Sequence, residues 1–379
     1  MNSLLAFCAG EVHRKQKTNS FVKYSNGNYG TSYYNQAIQK LCVALGNLNT
    51  SSATLESMVS SIFLLISYEM KFGSSFSNLQ LHIDGIRSYL AKYLKPTLIE
   101  GLSSADQGNL HGPGVTPFCA QVLLWMAYID VSGVRGLTTF RLYDFLDHDP
   151  TSCLHLDSLF PHARSSYRIL YGETYPADQV QDDFENYRPV EMVHHNLRFR
   201  RRIWRVADAE ENLEPCQDST GAIWDDLIAF DRKYADLMSE HLVVTAYKGH
   251  RVIDTVRAAV SAHYANLILH RLLLTPSRPP LPMQRDALSK LVKIVHNVSN
   301  ATECGVMIGW PWEPLIAGIE TEDEIHRDWL KSYLKASGSL GKEFVWAGSV
   351  LEQVEKMRTK GEQIGGASRI RQLLHGSVM

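Results

Sequence analysis

Apolar residues recur at three- and four-residue steps through most of this 379-residue chain, and no apolar–polar alternation of strand type persists over a useful length. A period near 3.6 gathers such residues on one helix face, so the pattern leaves helices as the building material. From Thr54 to Met70 the stripe runs through Leu55, Met58, Val59, Ile62, Phe63, Leu65 and Ile66. Leu81 to Leu94 repeats it through Ile83, Ile86, Leu90 and Tyr93, and Pro96 ends it for want of an amide hydrogen. Pro117 opens a strongly apolar helix through Ala120, Val122, Leu123, Leu124, Met126 and Ile129. Further helices are predicted over Ile223–Leu242, Arg251–Leu274, Gln284–Asn300, Glu322–Tyr333 and Phe344–Met357, each with one apolar and one charged face.

The breaks between them are legible too. Residues 103–116 carry the glycine, serine and proline of a linker, and prolines 276, 279, 280 and 282 mark a loop over 275–282. The stretch 148–221 is the least periodic, and is expected to hold short helices and loops rather than a separate domain. No internal repeat, heptad run or low-complexity tract interrupts the chain. The expectation is an all-α protein, a single large bundle-like domain over residues 1–379 with roughly ten helices.

Charge and cysteine usage exclude several functions. Lys and Arg number 38 against 40 Asp and Glu, a formal charge of −2, which lacks the positive field of a protein that grips nucleic acid unaided. The six cysteines, Cys8, Cys42, Cys119, Cys153, Cys216 and Cys304, lie too far apart for a zinc ribbon, a zinc cluster or a redox pair. So few thiols in so large a chain point to an intracellular, reducing compartment. The start of the chain lacks the charged and apolar order of a signal peptide, and the most apolar windows, Met58–Met70 and Val122–Val131, are too short for a membrane span.

Several segments, in order, carry a resemblance. Tyr33-Tyr34-Asn35-Gln36-Ala37-Ile38-Gln39-Lys40-Leu41 is followed by Ile62-Phe63-Leu64-Leu65-Ile66-Ser67-Tyr68-Glu69-Met70 and by Leu81-His82-Ile83-Asp84-Gly85-Ile86-Arg87. Near the end come Trp310-Pro311-Trp312-Glu313-Pro314-Leu315-Ile316-Ala317-Gly318-Ile319-Glu320 and His326-Arg327-Asp328-Trp329-Leu330. From about Leu4 to Leu334 this order resembles the regulatory, or middle homology, domain of fungal-specific transcription factors. The resemblance implies an all-α regulatory or dimerising module of the nucleus, often responsive to a small-molecule inducer. The six-cysteine cluster and basic linker that carry that family's DNA contacts have no counterpart in this sequence, so direct nucleic-acid binding is not expected.

Four constellations invite chemistry, and each has a plainer structural reading. Glu69 and His82 flank a short connection and could meet as an acid–base pair, or as a hydrogen-bonded pair that closes it. Asp225, Asp226 and Asp231 evoke the aspartate-rich helix of a terpene cyclase, but the spacing is off and Asn297, Ser299 and Glu303 do not share one helix face; a solvated acidic face explains them. Arg198, Arg200, Arg201, Arg202 and Arg205, interleaved with Phe199, Ile203 and Trp204, could form an import signal or anion patch, or a helix face paired with Asp208, Glu210 and Glu211. His194 and His195 are adjacent and point different ways, and no histidine or cysteine spacing suits a metal. No nucleophile elbow or phosphate loop is present, so no cofactor is expected.

The remaining candidate is an aromatic pocket for an apolar small molecule, lined by Trp125, Tyr128, His263, Tyr264, Trp310 and Trp312; core filling is the alternative for each. Two functions follow. One is a small-molecule-sensing or partner-binding protein in control of secondary metabolism, acting as a homodimer or with a partner regulator, in the nucleus. The other is a cofactor-free cytoplasmic enzyme on the same fold, a cyclase or Diels–Alder-type pericyclase acting on an apolar terpenoid or polyketide intermediate. Such an enzyme folds its substrate into a reactive conformer and leaves no sequence motif. A third possibility is an upstream segment encoding the zinc cluster.

Overall fold

The computed structural model describes residues 1–18, 29–46, 52–73, 76–94, 115–132, 139–164, 172–216, 218–239, 251–301 and 311–376. These residues form 16 α-helices, with no strand among them. None of these helices is long and apolar enough to cross a membrane. Contacts cluster into two compact units: residues 1–130 with 139–175, and residues 131–138 with 176–379.

The first unit contains α1 (Asn2–Thr18), α2 (Tyr29–Gly46), α3 (Ser52–Phe72), α4 (Phe76–Tyr89), α5 (Pro117–Val131), α6 (Arg141–Asp147) and α7 (Leu156–Arg164). Helices α1, α2 and α3 pack around Ala6, Tyr34, Ala37, Leu65 and Tyr68, with Phe7 and Phe72 against them. The expected helices over Thr54–Met70 and from Pro117 are α3 and α5. The one over Leu81–Leu94 starts five residues earlier, as α4, and passes into a π-helical turn at Leu90–Leu94. Buried Asp130 at the end of α5 accepts from the backbone N–H groups of Leu142 and Tyr143, at 2.9 and 3.0 Å. It thereby satisfies free amides at the start of α6 that Phe140, in the left-handed region at φ 51°, does not cap.

The second unit contains α8 (Ala177–Glu185), α9 (Tyr187–Asn212), α10 (Thr220–Lys233), α11 (Arg251–Leu274), α12 (Pro282–Ala301), α13 (Trp312–Glu320), α14 (Glu324–Ala336), α15 (Lys342–Thr359) and α16 (Ala367–Gly376). Helix α11 is its axis, packed against α9, α10, α12, α13 and α16. Every residue of α13 is buried. Its last carbonyls are satisfied from α15, where Arg358 donates to Ile319 O at 2.8 Å and to Thr321 O. Arg271 of α11 forks onto Glu320 with two bonds of 2.6 and 2.7 Å.

The loop expected over 275–282 is present as Thr275–Leu281, and Pro282 opens α12. Of the linker expected over 103–116, residues 103–114 lie outside the described residues, while 115 and 116 precede α5 without helix. The expectation for 148–221 needs correction. Short helices are there, but so is α9, at 26 residues the longest helix described. Its inward face carries His194, Asn196, Arg200 and Arg201, all buried, so its periodicity is partly written in polar residues that an apolar count passes over.

Candidate functional site

Along the contact of α9 with α10 and α11 the second unit buries an unusual density of polar groups. On α11, His263, Asn266 and His270 stand at i, i+3 and i+7 and so share a face. Asn266 Nδ2 donates to Asn196 O at 2.8 Å and to Asn196 Oδ1 at 3.2 Å, while Asn196 Nδ2 donates to Ala259 O at 2.9 Å. His270 Nε2 donates to Thr220 O at 3.0 Å, and its ring lies 5.3 Å from that of Trp224. These bonds fix the relative register of α9, α10 and α11 more sharply than apolar packing would, since a slip would strand each polar group in a dry interior.

Aromatic rings fill the space beside this seam. Phe230 of α10 is the hub, with ring centroids 5.2 Å from Phe199, 4.6 Å from Tyr234 and 5.4 Å from His263. His195 stands 6.1 Å from Phe230 and 5.5 Å from His194. Burial pushes the His195 imidazole down to about 4, with the charges of His194 and Lys233 acting in the same direction. Burial lowers His263 as well, against the pull of Asp231, whose Oδ1 lies 3.4 Å from Nε2. Asp231 in turn is held below the usual carboxylate range by that contact. With the imidazole fully buried, desolvation prevails and the pair is a neutral ring beside a carboxylate at neutral pH.

A second polar group lies where α13 begins. Arg200 of α9, 1% exposed, donates from Nη2 to Glu313 Oε1 at 2.9 Å and from Nη1 to Ser132 O at 3.0 Å. Its guanidinium carbon sits 5.1 Å from the centroid of the Trp312 ring, a cation–π contact. Burial lowers the Arg200 pKa and Glu313 opposes that shift. Arg200 Nε, Glu313 Oε2 and Trp312 Nε1 are buried without a hydrogen-bond partner.

Of the six residues predicted to line a pocket, Trp125 and Tyr128 belong to the first unit and His263, Tyr264 and Trp312 to the second, while Trp310 lies outside the described residues. Trp125 is 42% exposed and packs its ring 5.5 Å from Phe63, whereas Tyr128, His263, Tyr264 and Trp312 are buried. His263 and Tyr264 have ring centroids 6.1 Å apart. The residues that sequence reasoning missed at this site are Phe230, which stands against His263, and Phe199, Tyr234 and His195, which stand against Phe230. The available signal was aromatics and histidines three to five residues apart, at His195 and Phe199 on α9 and at Phe230 and Tyr234 at the end of α10.

The arginine run on α9 is dispersed among separate partners. Arg202 pairs with Asp218 at 2.6 Å and Asp226 at 2.8 Å, Arg200 with Glu313, and Arg201 lies 3.9 Å from Asp208. Pairing with acids was expected, and Asp208 takes part in it, while Arg200 and Arg202 find their partners outside α9. Asp225 and Asp226 are exposed on α10, as a solvated acidic face requires, and Asp231 turns to His263. Asn297 and Ser299 lie on α12, Glu303 outside the described residues.

In the first unit, Glu69 and His82 are linked through a third side chain. The Tyr34 hydroxyl lies 2.8 Å from His82 Nε2 and is hydrogen-bonded to Glu69, which also accepts from Asn78 Nδ2 at 3.2 Å. Burial, then Glu69, raises the Tyr34 pKa, so the phenol keeps its proton and donates it to the carboxylate. His82, pushed down to about 4 by burial, is then neutral and donates from Nε2 to the Tyr34 oxygen. The chain of bonds ties α2, α3 and α4 together and needs no substrate to explain it.

Among the described residues no group of three His, Cys, Asp or Glu side chains could hold a metal ion. A surface cleft of about 560 Å³ opens between the end of α9 and the start of α10, lined among others by Val206, Ala209, Leu213, Glu210, Asp218 and Thr220. None of the six predicted pocket residues lines it.

The model of the fungal specific transcription factor domain matches residues 1–370. The chain belongs to that family. No curated protein and no solved structure gives a match. Membership covers both units, and fungal transcription factor domains support a regulatory role for the chain.

Proposed function

We propose that this fungal transcription factor domain protein acts in the nucleus, in the control of secondary metabolism, as a small-molecule-sensing or partner-binding helical body. The observation that carries the proposal is the family match over residues 1–370. The charge balance of −2 adds to it, since so weak a field suits a protein that influences transcription through ligands and partners rather than by gripping phosphates.

The sensing element in this reading is the interior of the second unit, where His263, Tyr264 and Trp312 of the expected apolar pocket stand with Phe230 and Arg200. A ligand changes the output only if it binds one helix arrangement more tightly than another; a tenfold preference shifts the balance by about 1.4 kcal/mol. In this reading the aromatic and polar seam of α9, α10 and α11 supplies that preference. Sliding α9 against α11 would break the Asn196–Asn266 bonds, so intermediate positions are unfavourable.

The test is a deletion strain assayed for metabolites and for transcripts of neighbouring biosynthetic genes. Loss of those transcripts together supports the proposal. Intact transcripts with accumulation of one uncyclised precursor would instead establish a cofactor-free cyclase.

A further inference from the structure

Helix α8 is amphipathic in the inverted sense. The residues at i, i+3, i+4 and i+7 that turn towards the body are Gln179, Asp182, Asp183 and Asn186, partly or fully buried. The apolar residues Ala177, Val180 and Phe184 point to water instead, Val180 at 47% and Phe184 at 85% exposure. No residue of the helix is buried, and it packs against α9 and α11. A surface helix that hid its apolar side would place Phe184 inward; this one turns half-buried carboxylates inward and leaves a phenylalanine in solvent, one helical turn from a valine. Tyr187, which opens α9, is exposed beside them. Asp178 and Glu185 are exposed on one flank of the helix, and α8 contains no lysine or arginine.

We propose that the outward face of α8, Val180 and Phe184 flanked on one side by Asp178 and Glu185, docks into an apolar groove on a partner protein whose rim carries lysine and arginine. The charge pattern selects the occupant. Two copies of the same face would oppose carboxylate to carboxylate, and an anionic membrane surface would repel it, whereas a basic rim satisfies the acids while the groove takes up the phenylalanine. An i, i+4 pair of apolar residues is the spacing by which a single helix face anchors in a groove. The proposal rests on the regulatory role for its biological setting and deepens it by naming the surface through which the chain meets a partner.

The test uses the full chain in its native cells, with a photo-crosslinking amino acid at position 184 and, as control, at Ile325, which is 79% exposed on another helix. One heterologous protein should be crosslinked from position 184 and not from 325. That protein, purified, should bind the wild-type chain, with affinity falling tenfold or more for Phe184→Ser and for Asp178→Lys/Glu185→Lys, and falling with added salt. All variants should melt with the wild type, since the altered side chains are exposed. Crosslinks only between copies of this chain, no crosslinked protein, or binding indifferent to these substitutions would overturn the surface. Because the readout is binding, it is separable from the regulatory role: lost transcripts in the deletion strain with no crosslink removes only the docking face, and a specific crosslink with intact transcripts removes only the regulation.

Discussion

Glu313 holds the charge of Arg200 in a site from which water is excluded, so the two side chains act as one unit. Glu313→Ala leaves a buried guanidinium with only a carbonyl and an indole face, and should destabilise the second unit by about 3–5 kcal/mol in urea titrations. Arg200→Met/Glu313→Leu removes both charges and should be markedly less damaging than the single change, because no ion is then left stranded. Equal losses from both would show that packing, not the charge, matters there. In the first unit, Tyr34→Phe deletes the hydroxyl that Glu69 and His82 share and should lower stability by about 1–3 kcal/mol, read from the same titration. Little of this was readable in the sequence. Glu69 and His82 suggested themselves as a pair, but Tyr34, 48 residues from His82, had no sequence signal tying it to them. The arginine run advertised charge, and nothing near it named Glu313, 113 residues beyond Arg200, as the partner.

Helix α13 approaches α15 so closely at Gly318 that a methyl group there would stand 2.6 Å from Leu351 Cδ1. Leu351 is itself buried and has little room to move, so Gly318→Ala should cost about 1–3 kcal/mol in spite of its better helix propensity. A gain in melting temperature would contradict the contact. At the start of α14 the Asp323 side chain accepts from the amides of Ile325 and His326, at 2.8 and 3.2 Å. Asp323→Ala should lower the melting temperature, and Asp323→Ser should restore most of the loss. Elements with a continuous apolar stripe, such as α3, α5 and α11, were legible in the sequence because burial there is apolar. Helix α9 was not, since its buried face includes Asn196, Arg200 and Arg201. Helix α8 was not either, since its apolar residues face the wrong way for a core. The pocket residues were chosen as large aromatics on apolar faces. That criterion found buried His263, Tyr264 and Trp312, but also Trp125, because one ring on the outer side of α5 reads the same as one on the inner.

At the scale of the whole molecule, burial holds five imidazoles among the described residues, His82, His195, His263, His270 and His375, below their ordinary value of 6.5. The unfolded chain then binds protons that the folded chain refuses, so stability is full above about pH 6.5 and falls as the pH drops towards 4. Each such group contributes a slope of up to about 1.4 kcal/mol per pH unit across that window. Melting temperature should therefore fall between pH 6.5 and 4.5, and less steeply in His195→Gln than in the wild type; an unchanged slope would remove His195 from the account. Family membership over residues 1–370 supports a regulatory role, and timing distinguishes that from catalysis. Rapid degron-mediated depletion of the chain, followed by nascent-transcript profiling within minutes, should change a defined set of transcripts before any metabolite moves. A metabolite change that comes first, with nascent transcripts unaltered, would show that the chain does not regulate.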